Sequence, residues 1–141
     1  LVDGVGFAIH IRRGLLVKDA SFGEHAPDAV SFCTDDTLQK FYRLMEDTTC
    51  LVFVSSDCLA VKRTFRDRWP DRVRIVDEQP VHTTTDNASD PRVSFLDFFL
   101  LSMCPMIYGT GGDPKTGMFM STFGYMAAVY GDRKFTFVFN D

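Results

Sequence analysis

Along this chain of 141 residues, short apolar stretches alternate with longer stretches that have the residue spacing of helices. The apolar stretches are residues 6–11, 50–55, 73–76, 105–110 and 134–139. Strict alternation of such strands with helices favours a parallel sheet that is covered on both faces. The sequence therefore predicts one Rossmann-like, three-layer α/β domain over residues 1–141, with a five-stranded parallel sheet in the doubly wound order 3-2-1-4-5.

Four helices are predicted between the strands, from capping residues and apolar spacing. In chain order, the signals are a cap at Thr34 or Asp35, a cap at Asp57, an apolar run over residues 94–104, and a segment from a cap at Ser121 to Tyr130 that Gly131 ends. On the second helix, four basic side chains are expected mostly to face solvent: Lys62, Arg63, Arg66 and Arg68. Residues 77–92 are expected to form a long loop, and the glycines of residues 109–114 are expected to break the fourth strand.

Composition limits the classes of partner. The net charge of −4 argues against non-specific binding to nucleic acid, so any anion site must be built locally from a few basic groups. No stretch approaches the ~20 apolar residues that span a bilayer. The four cysteines have no zinc-site spacing, no metal constellation is evident, and the compartment is not indicated. Because the chain starts at Leu1, we expect it to be part of a larger protein.

The first predicted strand ends in three basic residues, His10, Arg12 and Arg13. Guanidinium groups at the end of a buried strand are costly unless an anion or an acidic side chain pairs with them. Ligands of open α/β sheets bind just outside the carboxyl ends of strands, so a phosphate or diphosphate site is one interpretation and a structural ion pair is the other. Arg12 shares the strand parity of His10, which is either a donor to phosphate or ribose or a satisfied core residue.

The predicted strand order places the first and fourth strands side by side at the switch point of the sheet, so the loop after Ile11 and the segment after Thr110 would face one crevice. Two further segments carry polar groups that this crevice could use. Asp97 interrupts an otherwise apolar helix, where a buried carboxylate needs donors, so it either pairs with an arginine of the crevice or accepts from the N–H groups of a nucleotide base. Ser121, Thr122 and Phe123 begin a helix after a glycine-rich loop. Such a helix start can seat a phosphate on its N–H groups and hydroxyls, and it can equally be an ordinary N-cap.

Several segments together resemble the motifs of a known family. They are His10-Ile-Arg-Arg-Gly14, Val52-Phe-Val-Ser-Ser-Asp57, Leu96-Asp-Phe-Phe-Leu-Leu-Ser102, Tyr108-Gly-Thr110 and Ser121-Thr-Phe123. In this order they resemble the H-x-R-R, strand-then-Asp and third motifs of the fucosyltransferase superfamily, which includes the α1,2-, α1,6- and protein O-fucosyltransferases. The resemblance spans nearly all of the chain.

The resemblance implies the C-terminal, GDP-fucose-binding half of a GT-B glycosyltransferase that transfers fucose with inversion, without a required metal or other cofactor. It implies that Arg12 is catalytic, holding the diphosphate and stabilising the departing GDP. It gives supporting roles to His10 and Arg13, guanine recognition to Asp97, and the phosphate and base region to Ser121, Thr122 and Phe123. GDP-fucose would be the donor substrate.

Some features depart from the family pattern. Leu15 stands where many members have an aspartate after Arg-Arg-Gly, and the segment between Thr110 and Ser121 is longer than expected. The N-terminal half, which supplies much of the acceptor site, is not in this chain, so an acceptor-binding domain would be separate or missing. The alternative function is therefore a non-catalytic nucleotide-binding or interaction module with a degenerate donor site.

Overall fold

A computed structural model describes residues 1–13, 32–80, 91–117 and 120–141. In chain order, the elements of these ranges are β1 (Val5–Ile11), α1 (Asp35–Glu46), β2 (Leu51–Ser56), α2 (Leu59–Arg68), β3 (Val73–Arg74), α3 (Arg92–Met103), β4 (Met106–Gly112), α4 (Thr122–Gly131) and β5 (Lys134–Phe139). All strand pairs are parallel, and the sheet order is β3-β2-β1-β4-β5. The predicted five-stranded, Rossmann-like α/β fold and its strand order are confirmed.

The sheet separates two layers of helices. Ile9 and Ile11 of β1 pack with α1 and α2, whose buried side chains include Phe41 and Phe65. Ala8 lies in the second core cluster, with Leu101 of α3 and residues of α4. The alternation of side chains along β1 thus supplies both cores, as expected for a strand covered on both faces.

Strands β1 and β4 lie side by side at the centre of the sheet. Their register pairs Ile9 with Tyr108 and His10 with Gly109. The chain moves to one side of β1 through β2 and β3, and to the other side of β4 through β5. The carboxyl ends of β1 and β4 therefore meet at the switch point of the sheet, where open α/β folds bind ligands.

Glycines extend β4 rather than breaking it. The strand was expected to end near Thr110, but it continues to Gly112. A Cβ at Gly109 would lie 2.5 Å from Cζ of Phe135, and one at Gly111 would lie 2.6 Å from Cδ1 of Phe139. The glycines therefore make room for rings of β5, and the prediction of a break was wrong because it gave these glycines only a loop role.

Several element ends also differ from the sequence prediction. Strand β3 has two residues where four were expected, and α3 starts two residues earlier than expected. Helix α2 begins after Cys58 instead of after a cap at Asp57. Residues 81–90 of the predicted long loop lie outside the described residues. Among the helices of the described ranges, none is long and apolar enough to cross a membrane.

Gly131, which was expected to follow the end of the helix, is the last residue of α4, and Asp132 takes the left-handed position (φ 53°) beyond it. A Cβ on Gly131 would lie 2.0 Å from the carbonyl oxygen of Ser102 in α3. The missing side chain therefore lets α3 and α4 approach each other closely, and this contact with backbone has no flexible atom that could move aside.

We expect Gly131→Ala to lower the free energy of unfolding by about 1–3 kcal/mol, because an added methyl group in a packed contact forces the backbone apart. Urea denaturation followed by circular dichroism measures the change. Unfolding at an unchanged urea midpoint would show that α3 and α4 are not in this contact.

Candidate functional site

The carboxyl end of β1 is tied to two segments that lie far away in sequence. The backbone N–H of Arg12 donates to Oγ1 of Thr110 in β4, at 3.1 Å. Nε2 of His10 lies 3.2 Å from Oγ of Ser121, at the start of α4. We call this cluster of His10, Arg12, Thr110 and Ser121 the switch-point site. It joins three of the segments that the sequence placed around one crevice.

His10 is buried and uncharged at neutral pH. The residue is 4% exposed, and its ring lies beside the ring of Phe123, at 5.0 Å between centroids. Burial lowers the pKa of His10 to about 3, and the positive charges of Arg12 and Lys62 act in the same direction. The histidine is therefore a weak base that stays unprotonated at physiological pH.

The hydrogen bonds around His10 fix which ring nitrogen carries the proton. Oγ of Ser55 donates to Oδ2 of Asp97, at 3.0 Å, and lies 3.3 Å from Nδ1 of His10. A serine hydroxyl has one proton, so Ser55 accepts from His10 and Nδ1 carries the hydrogen. Nε2 is then the acceptor, and the hydroxyl of Ser121 donates to it. A buried hydrogen-bond chain runs from Ser121 through His10 and Ser55 to Asp97.

Asp97 ends this chain in a buried ion pair with Lys62. Oδ2 of Asp97 lies 3.1 Å from Nζ of Lys62, and the two side chains are 2% and 0% exposed. Burial raises the pKa of Asp97, while the ammonium of Lys62 opposes the shift. The expectation that Lys62 faces solvent was wrong, because the Asp97 carboxylate supplies the counter-charge that allows an ammonium to be buried.

Of the two partners considered for Asp97, a crevice arginine and a nucleotide base, the described contacts contain neither. The carboxylate instead binds Lys62 of α2 and Ser55 of β2. Its second oxygen, Oδ1, is buried and has no hydrogen-bond partner in the part of the chain that the structure describes. Asp97 is buried in the domain, and it is connected to His10 of the switch-point site by the hydrogen bonds of Ser55.

Arg12 and Arg13 diverge at the end of β1. The side chain of Arg12 is 28% exposed, its Nε lies 3.3 Å from Oδ2 of Asp57, and its guanidinium stacks on Phe32. Arg13 is buried, donates to the carbonyl oxygen of Cys33 at 2.5 Å and pairs with Asp35 at the start of α1. Arg12 is therefore the arginine nearer to solvent, and Arg13 fastens the end of β1 to α1.

Asp57 and Ser121 both use their side chains differently from an N-cap. Asp57 accepts from the backbone N–H of Arg13 at 2.8 Å, so its predicted role as a helix cap was wrong. Ser121 is the N-cap residue of α4 but makes no side-chain cap hydrogen bond. Its hydroxyl is occupied by His10, and α4 starts with backbone N–H groups that no helical carbonyl can reach. Thr122 follows as an exposed residue.

The sequence reasoning missed Ser55 and Lys62. Ser55 is the register partner of His10 across β1 and β2, so its strand parity places it beside the histidine. Lys62 is adjacent to Val61 and three positions before Phe65, both buried on the inner side of α2. A buried carboxylate is costly unless a cation pairs with it. The presence of Asp97 in an apolar helix was therefore the sequence feature that could have predicted a buried lysine.

The buried pair makes a stability prediction. Lys62→Met leaves the Asp97 carboxylate buried without a cation and should lower the free energy of unfolding by about 3–5 kcal/mol. The adjacent Arg63 pairs with Asp77 on the surface, and Arg63→Met should cost less than about 1 kcal/mol. Urea titrations of both variants measure the difference, and equal costs would contradict the buried pair.

The depressed pKa of His10 makes a prediction about pH. Unfolded His10 takes up its proton near pH 6.5 and the folded residue only near pH 3, so the unfolded state gains stability as pH falls through this window. The free energy of unfolding should therefore fall by up to about 1.4 kcal/mol per pH unit from this residue.

The His10→Gln variant serves as the control, because an amide of similar reach does not titrate. Urea unfolding between about pH 7 and 4 should show a shallower pH dependence for the variant than for the native chain. Parallel curves for the two proteins would show that His10 titrates normally in the folded state.

In the described ranges, no group of three His, Cys, Asp or Glu residues is arranged to hold a metal ion. The chain matches no protein-family model, and a search of curated proteins found no match.

Proposed function

We propose that this domain binds a GDP-sugar, GDP-fucose, as the donor half of an inverting glycosyltransferase. The observation that carries the proposal is the junction of β1, β4 and α4. The hydrogen bonds of Arg12 to Thr110 and of His10 to Ser121 join three segments that resemble parts of two fucosyltransferase motifs, the H-x-R-R motif and the third motif. The junction lies at the switch point of the sheet, which is where folds of this class bind nucleotides.

In this proposal Arg12 binds the diphosphate. It is the more exposed of the two arginines, and a guanidinium has five N–H donors, so contact with Asp57 is compatible with bonds to phosphate oxygens. Negative charge develops on the diphosphate as GDP departs, and a fixed cation at that place lowers the barrier to transfer. The start of α4, at Thr122, supplies backbone N–H groups for the same anion.

The other residues hold this arrangement in place. Arg13 anchors the end of β1 through Cys33 and Asp35. His10 is neutral and orients Ser121. Asp97 is 2% exposed and bonded to Lys62 and Ser55, so within this proposal it acts on the site through the buried hydrogen-bond chain. Phe123 supplies an aromatic surface beside His10 that a sugar or base can pack against.

The second candidate is a non-catalytic module that binds a nucleotide or a protein. A specific observation favours it: the charges of Arg12, Arg13 and Asp97 each have an acidic or basic partner within the chain. Ion pairs of this kind stabilise a domain without any ligand. The two candidates differ in transfer chemistry, because only the first requires the site to act on the sugar.

Calorimetry tests nucleotide binding. The chain is titrated with GDP-fucose, GDP, UDP and ADP, and we expect heat with the guanine nucleotides. Arg12→Ala should weaken GDP binding by about 10–100-fold, because a hydrogen bond between charged groups contributes about 1.5–3 kcal/mol. The control is Arg66→Ala, which removes a surface arginine paired with Asp67 and Asp77.

Three results decide between the candidates. Absence of heat with GDP and GDP-fucose at millimolar concentration would remove the donor-site proposal. Equal GDP affinity of the Arg12 and Arg66 variants would remove Arg12 from the site. If GDP-fucose binds, release of GDP is measured next, with and without glycan acceptors, and binding without turnover would favour the non-catalytic module.

A further inference from the structure

The two helical layers of the domain differ in the side chains that they present to solvent. On α1 the exposed positions are polar or charged, and they include Gln39, Arg43 and Glu46. On α2 they include Arg63 and Arg68. A helix that covers one face of a sheet normally has this polar outer side, because its apolar side is already used in the core.

Helix α3 is apolar on its outer side as well. Leu101 faces the core, while Phe95, Leu96, Phe99 and Met103 are 59%, 45%, 46% and 58% exposed. Phe95, Phe99 and Met103 follow one another at spacings of four residues, and Leu96 lies three residues before Phe99. Residues three or four apart are neighbours on a helix surface, so the four side chains form one stripe. The stripe therefore points away from the sheet, and nothing in the core of the domain requires it to be apolar.

Helix α4 repeats the pattern. Tyr125, Met126, Val129 and Tyr130 are 43%, 51%, 56% and 67% exposed, at the i, i+1, i+4 and i+5 positions of a second outward stripe. The ring of Tyr130 lies 5.7 Å from the ring of Phe99, which joins this stripe to that of α3. We call the eight side chains of the two stripes the α3–α4 face.

The size of this face exceeds what a single chain usually exposes. Each of the eight side chains is between 43% and 67% exposed. With about 200 Å² for a large apolar residue, the face presents roughly 800 Å². The largest apolar patch of a typical monomer is about 300–600 Å², whereas a stable interface buries about 800 Å² on each partner.

Charge points to the kind of partner. The α4 sequence contains no charged residue, and α3 contains only Arg92, at its first position, and the buried Asp97. The chain as a whole carries a net charge of −4, and two copies that meet through an uncharged surface bring no like charges into direct contact. The α3–α4 face is such a surface, and it has no charge with which to select an acidic or basic partner.

We propose that the α3–α4 face is a homodimer interface, in which two copies of this chain pack their outward stripes around a two-fold axis. Two helices from each copy then form one shared four-helix layer between two sheets. Its anchors are the aromatic side chains Phe95, Phe99 and Tyr130, because aromatic residues are enriched in protein interfaces. The switch-point site lies at the carboxyl ends of the strands, so dimer formation leaves nucleotide binding as a separate test.

Sedimentation equilibrium tests the proposal on the chain itself. Interfaces of this size have affinities from micromolar to picomolar, so the native chain should have the mass of a dimer at about 100 µM. Phe99→Asp and Val129→Asp each place a carboxylate in one stripe and should each yield a monomer. The control is Gln39→Asp, on the polar outer side of α1, which should remain a dimer.

Each variant is also unfolded in urea at a protein concentration low enough for the native chain to be monomeric. A midpoint equal to that of the native monomer shows that the substitution acts on the interface and not on the fold. A native chain that stays monomeric at about 100 µM would overturn the proposal, because roughly 800 Å² of matched apolar surface should associate there. A dimer that persists in both aspartate variants would assign the contact to another surface. Binding of the native monomer to phosphatidylcholine vesicles, lost in Phe99→Asp, would replace the second copy with a membrane.

Discussion

The contact between the Lys62 ammonium and the Asp97 carboxylate is the most demanding interaction in the domain, because moving two ions out of water costs several kcal/mol for each. The cost is offset by their attraction at 3.1 Å and by the hydrogen bond from Ser55. Lys62 belongs to α2, which packs on one face of the sheet, and Asp97 belongs to α3, which packs on the other. The pair therefore fastens the two helical layers to each other.

The same pair sets the chemistry of the switch-point site. Asp97 accepts a hydrogen bond from Ser55, so Ser55 accepts from His10, and His10 in turn accepts from Ser121. The direction of each hydrogen bond is determined by the buried Asp97 carboxylate, which is the last acceptor in this series of hydrogen bonds. The positive charge of Lys62 also helps to keep His10 neutral. Charge at the mouth of the site is then supplied by Arg12, whose guanidinium remains partly exposed.

The outer surfaces of the two helical layers differ in polarity. The layer of α1 and α2 has ion pairs on its outer side, such as that of Arg68 with Glu46. The layer of α3 and α4 exposes aromatic and aliphatic side chains on its outer side. Within this layer the two helices pack closely against each other at Gly131. A domain with one polar and one apolar outer layer is stable in water when the apolar layer is covered, which is the physical basis of the proposed dimer.

The sequence by itself determined the α/β class, the strand order and the meeting of the ends of β1 and β4, because periodicity and alternation are local properties that restrict topology. It also marked His10, Arg12 and Ser121, because polar groups at the ends of apolar runs are visible in the chain. The tertiary structure alone decided that Lys62 is buried and that Asp57 binds the backbone of Arg13 instead of capping a helix. Each of these outcomes depends on a partner that is distant in sequence. Local residue spacing does not show which distant group will lie beside a given side chain in the folded domain.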